Sequence, residues 1–179
     1  MAAGPARHNE LQQLLDDERA NDGARDRRDR FWLGRIEQEA MTLPGLLIAL
    51  AESEVGTFIT TVGGRMHHGR ITAVGIDLVA LLDGNGDEVL LRLGRIRCVR
   101  TPVRHLIAAD REPSPRTFRD QLLVLTEQCC DVRLGLDGGT QERGTLVACG
   151  TGVVAIRTAN GELTYVAEQH IAEIVTVAP

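Results

Sequence analysis

The strongest constraint on this chain is internal. Shifted by 75 positions, residues 42–104 fall on residues 117–179 without a gap. Thr42 meets Thr117, Leu47 meets Leu122, and Gly63-Gly64 meets Gly138-Gly139. Gly69 meets Gly144, Gly75 meets Gly150, Val79-Ala80 meets Val154-Ala155, and Asn85-Gly86 meets Asn160-Gly161. Most other positions keep their polar or apolar character. Such a match means one small fold unit used twice. The 179 residues therefore divide into a charged helical arm (1–41), repeat 1 (42–104), a linker (105–116) and repeat 2 (117–179).

Each repeat opens with a helical pattern. In the first, Phe31, Ile36, Leu43, Leu46, Leu47 and Leu50 share one side over residues 31–54. Pro44-Gly45 starts a new helix or kinks the old one, with Thr42 as the cap for a new start. In the second, Thr117 caps and Phe118, Leu122 and Leu125 form the apolar face. Short alternating runs follow, bounded by turn residues. They predict strands near 57–62, 66–75, 77–83, 86–93 and 96–100, and again near 131–136, 140–149, 152–158, 161–167 and 171–177. Gly69 and Gly144 fall inside the long second strand, where glycine signals sharp bending. A helix and five bent antiparallel strands predict a small barrel. The expected fold is mainly β with helices (α+β): two five-stranded bent antiparallel barrels, each preceded by a helix, plus the N-terminal arm. Leu106, Ile107, Ala108 and Ala109 in the linker are expected to pack on one barrel, and Pro113 and Pro115 to stiffen its end.

Charge divides the repeats. The net charge is −5, and all twenty basic residues are arginine. Repeat 1 has seven Arg against six acids, a net of +1; repeat 2 has four Arg against eight acids, a net of −4. Similar folds with different surfaces meet different neighbours. No run of 18 apolar residues exists and residues 1–17 lack an apolar signal core, so a cytoplasmic protein without a membrane span is expected. Cys98, Cys129, Cys130 and Cys149 form no C-x-x-C pair and read as small buried side chains in a reducing compartment. No cofactor or metal site is expected. The phosphate-cradling and dinucleotide-binding glycine motifs are absent, and no nucleophile converges by spacing on His170 beside Glu168 and Glu173. These features point away from an enzyme.

The runs GGRMHHGRITAVGIDLVALL and GGTQERGTLVACGTGVVAI resemble the signature of the Sm-like family, which includes RNA chaperones of the Hfq type. The resemblance rests on the spacing from Gly64 to Gly69 and from Gly139 to Gly144, with an apolar alternation, a loop and an apolar strand after it. The runs LRLGRIRCV and VAEQHIAEIV are similar to the family's closing strand–turn–strand. It implies Sm-like barrels in a bacterial protein, RNA binding, and homo-oligomers joined through exposed edge strands. The family's base-contacting Asp and Asn are replaced by Gly75 or Gly150 and by Val79 or Val154. Asp77 and Gly152 stand near its base-stacking aromatic, and Gln169-His170 resembles its Lys-His pair, where repeat 1 has Gly94-Arg95.

Candidate RNA contacts are Arg92, Arg95, Arg97, Arg100 and His170, with Arg104 at the end of the same basic cluster. The same arginines suit a second role, shielding a strand edge or pairing with acids of repeat 2. His67-His68 read as a polar surface turn or edge, since neighbours on a strand point to opposite faces. Arg25, Arg27, Arg28 and Arg30 are a weaker nucleic-acid candidate, diluted by Asp26 and Asp29. With only five aromatic residues, stacking platforms are scarce. Two functions remain open: a non-enzymatic RNA-binding module, or a protein-interaction scaffold that has lost RNA binding.

Overall fold

The computed structural model describes residues 41–103, 106, 108–109 and 111–176. The chain divides into two compact units, Met1–Met41 and Thr42–Pro179, and the account below concerns the second. The arm's arginines, Arg104 and the helical pattern before Met41 lie outside the described residues.

Helix α1 spans Leu43–Glu52. Thr42 caps it by accepting a hydrogen bond from the Gly45 amide at 3.2 Å, and Pro44 sits in the first turn, where no amide partner is needed. Five strands follow: β1 (Thr57–Thr61), β2 (Met66–Val74), β3 (Leu78–Asp83), β4 (Glu88–Arg92) and β5 (Ile96–Arg100), with a 3₁₀ turn, Leu93–Arg95, between the last two. Repeat 2 restates the plan. Helix α2 spans Phe118–Glu127, closed by a capping box in which Thr117 and Asp120 each accept the other's amide hydrogen. Its strands are β6 (Asp131–Leu136), β7 (Gln141–Cys149), β8 (Val153–Arg157), β9 (Leu163–Ala167) and β10 (Ile171–Thr176), with a 3₁₀ turn over Glu168–His170.

The expectation of two five-stranded barrels is corrected. The strands form one antiparallel ten-stranded sheet, in the order β5-β1-β2-β3-β4-β10-β6-β7-β8-β9, and it does not close. Within each repeat the first strand pairs with the last, β1 with β5 and β6 with β10. Closing a five-stranded barrel would require β4 to turn back on β5. Instead β4 pairs with β10 of the other repeat, in the register Glu173↔Leu91, Ile174↔Leu90 and Val175↔Val89. The reason is apolar burial: these strands carry Val89, Leu90, Leu91, Ile174 and Val175, all at most 3% exposed.

The cores also cross the repeat boundary. Leu78, Ala80 and Leu90 of repeat 1 join Phe118, Leu122, Leu125, Val132, Leu146 and Ile156 of repeat 2 in one cluster. Val175 of repeat 2 joins Leu47, Leu50, Ile59, Val79 and Leu81 of repeat 1 in the other, against which Leu106 and Ala109 of the linker pack. Gly69 and Gly144 serve close approach: a Cβ at either would run into the carbonyl of Leu82 or Arg157 on the neighbouring strand.

Candidate interaction surfaces at the junction and the sheet ends

The β4–β10 seam is where the chain invests its charged side chains. Arg92 leaves the end of β4 and donates to the carbonyls of Ile171 and Glu168, both at 3.3 Å. Its guanidinium also lies 3.5 Å from the Glu168 carboxylate, 3.9 Å from that of Asp77, and 4.4 Å from the centre of the Phe118 ring. Arg119 forms a second ion pair to Glu168, and Asp77 accepts from the Phe118 amide at 2.6 Å, tying α2 to repeat 1. Arg95 reaches the same seam from the 3₁₀ turn. It donates to the Gln169 carbonyl at 2.8 Å and pairs with Asp137 at 3.1 Å. His170 Nδ1 lies 3.4 Å from the same Asp137.

Three of the five candidate RNA residues, Arg92, Arg95 and His170, therefore converge on the inter-repeat seam. Arg97 and Arg100 do not join them. They are exposed on β5, at one end of the sheet, with no ion pair among the described residues.

A buried cluster at the seam was not legible as a site in the sequence. Glu173, on β10, is 1% exposed. Its carboxylate accepts from Thr61 Oγ1 at 3.1 Å, lies 2.8 Å from His67 Nε2, and forms an ion pair with Arg65 Nε at 2.5 Å that is off the line of a hydrogen bond. Burial pushes this carboxyl up. The hydrogen bond and charge of His67, the charge of Arg65 and the Thr61 hydroxyl outweigh it, and the pKa ends below the ordinary value. Gly135 makes the space: a Cβ there would collide with Glu173 and Arg65. The reading of His67-His68 as a polar surface turn or edge fits only His68, which is exposed and stacks on Phe58 with ring centres 4.2 Å apart. His67 points inward. An acid inside the apolar run from Ile171 to Val175 was the available signal, and only the register of β4 on β10 reveals its partners.

The two ends of the sheet are β5 and β9. Beside β9 runs a groove of 360 Å³ lined by Leu136, Thr140, Glu142, Tyr165, Val166 and Ala167, among others. The equivalent positions in repeat 1 are Thr61, Arg65, His67, Leu90, Leu91 and Arg92, the residues that hold β10. The groove is thus the unfilled counterpart of the seat that β10 occupies.

No group of three or more His, Cys, Asp or Glu side chains able to hold a metal occurs among the described residues, and the four cysteines are unbridged. No helix among the described residues is long and apolar enough to cross a membrane. Comparison with protein-family models and with curated proteins finds no match to this chain.

Proposed function

We propose that the chain is a non-enzymatic, cytoplasmic protein-interaction module that engages partners through the edges and apolar ends of its sheet. The observation that carries this reading is the commitment of Arg92 and Arg95. Both are bound to carbonyls and carboxylates of repeat 2, so the strongest basic candidates spend their donors inside the molecule. What the sheet ends offer instead is unpaired strand edge and exposed apolar side chains, among them Leu163, Tyr165 and Val153. Unbridged thiols fit a reducing compartment.

Arg97 and Arg100 favour a second reading, RNA contact at the β5 end, because their guanidinium groups are exposed and without ion pairs among the described residues. Ultraviolet crosslinking in the native cell, with sequencing of the recovered RNA, separates the two. The interaction module yields RNA at background. Enriched transcripts whose recovery drops for Arg97→Glu with Arg100→Glu would replace it with the RNA reading.

A further inference from the structure

The linker docks on repeat 1 through a seat that repeat 2 also carries. Ser114 pairs in parallel with Gly75, just past the end of β2. The Ser114 amide donates to the Val74 carbonyl at 2.9 Å, and the Ile76 amide donates to the Arg116 carbonyl at 3.0 Å. Glycine is needed at position 75, because a Cβ there would run into the Arg116 carbonyl. Pro113 and Pro115 flank the pairing residue and have no amide hydrogen. The one donor of the run Pro113-Ser114-Pro115 is thus the one the seat accepts. Ile48, Val74 and both prolines line one groove of 510 Å³, with Glu52 and Arg111 on its wall. Ile48 is 7% exposed and belongs to the core cluster against which Leu106 and Ala109 pack.

Repeat 2 keeps this seat, and no described segment covers it. Gly150 stands where Gly75 does, and its amide donates to the Val153 carbonyl as that of Gly75 donates to Leu78, both at 2.8 Å. Gly150 has no positive φ, and a Cβ on it would approach only Val153. Neither its conformation nor a described neighbour demands glycine. What glycine leaves open there is the space that the Arg116 carbonyl takes beside Gly75. The Thr151 amide, the counterpart of the bonded Ile76 amide, donates no hydrogen bond among the described residues. Leu123 replaces Ile48 and is 39% exposed, and Glu127 repeats the acid of Glu52.

We infer that this face of repeat 2 binds an extended segment of a partner protein, held as the linker is held. The segment has two prolines around one residue with a free amide, and a basic residue ahead of them, as Arg111 stands ahead of Pro113. The inference deepens the interaction-module reading and rests on it. The Cys149 carbonyl and the Thr151 amide supply the main-chain bonds, and Leu123 supplies apolar surface for the proline rings. Prolines hold such a segment extended before it binds, which lowers the entropy lost on docking. The net charge of −4 on repeat 2 and Glu127 at the seat favour a basic segment.

The probe is a synthetic peptide with the sequence of residues 108–116, added to the full chain, in which the tethered linker already holds the seat on repeat 1. Amide NMR reads where the peptide lands. Saturable shifts are expected at Gly150 and Thr151, with Gly75 and Ile76 unmoved and one peptide bound per chain. Leu123→Ser, at an exposed position, should weaken binding by about tenfold through lost apolar contact. Gly150→Ala fills the space a docking carbonyl needs and should abolish binding, while the spectrum of the free variant changes only around residue 150. In the peptide, Ser114→Pro removes the single amide and should abolish binding, whereas Glu112→Gln should tighten it, most at low salt. No shift at Thr151 overturns the inference, as do shifts that survive both Gly150→Ala and the Ser114→Pro peptide. Shifts at Thr151 that grow with protein concentration in the absence of peptide give the seat to a second copy and also overturn it. If the peptide fails while Tyr165→Asp costs the chain a captured protein, this inference falls and the interaction-module reading stands. If the peptide fails and transcripts are recovered through Arg97 and Arg100, both fall.

Discussion

Glu173 is the residue on which the seam's electrostatics turn. Its carboxylate is held below the ordinary 4.5 by His67, Arg65 and Thr61 against the opposing effect of burial. A depressed folded pKa adds stability that is fully present above the unfolded value and is lost as pH falls through the folded one. Glu173→Gln is therefore expected to destabilise the chain at pH 7 by about 2–4 kcal/mol, less than a fully buried pair because Arg65 is partly exposed. The gap from wild type narrows as pH drops below 4.5, read from urea unfolding at several pH values. A gap that does not change with pH would remove Glu173 from that role. Gly135→Ala probes the same cluster from beneath. The added methyl displaces the Glu173–Arg65 pair, and a loss of about 1–3 kcal/mol is expected from overpacking. At this scale the sequence was only half legible. Arg92, Arg95 and His170 stood out as a polar group, but whether their donors face solvent or another strand depends on pairing over 74 to 79 residues, which local pattern does not encode.

At the scale of the element, local chemistry was legible. Thr117 and, ahead of Pro44-Gly45, Thr42 mark both helix starts, and the strand ranges predicted from alternation fall within a residue or two of those observed. Strand ends are set by Asn-Gly and Gly-Gly turns, which act over a few residues and so can be read directly. The N-terminal half of the predicted first helix lies outside the described residues. Thr117→Ala should lower stability by about 1 kcal/mol, since it removes the hydroxyl that accepts from the Asp120 amide, one half of the capping box, at the point where α2 meets Asp77. Thermal unfolding of the single variant checks this, with Asp120→Asn as the companion that leaves the Thr117 hydroxyl in place.

At the scale of the whole molecule, repetition suggested separable barrels and the structure has one sheet instead. A repeat says that a unit recurs, and it does not say whether the unit closes on itself or borrows a strand from its copy. That choice belongs to Leu90 and Ile174, which bury against each other across the repeats. Because one core contains Leu78 and Leu90 together with Phe118 and Leu122, the repeats are expected to unfold together. Calorimetry of the full chain should give one transition for the sheet, and native-state hydrogen exchange should give β3 and β8 the same opening energy. Two resolved levels of protection, one per repeat, would show independent units. Leu90→Asp, at the seam, should lower both levels at once.

The seam's charged cluster has a consequence for copying. Arg92, Glu168 and Glu173 have as their counterparts Ala167, Leu93 and Cys98, so the polar lock exists once per chain. Two repeats made by duplication start out interchangeable, and any half could marry any other. A lock with no duplicate ends that equality: repeat 1 grips repeat 2 across β4 and β10 with charges for which the reverse pairing, β9 against β5, has no equivalents.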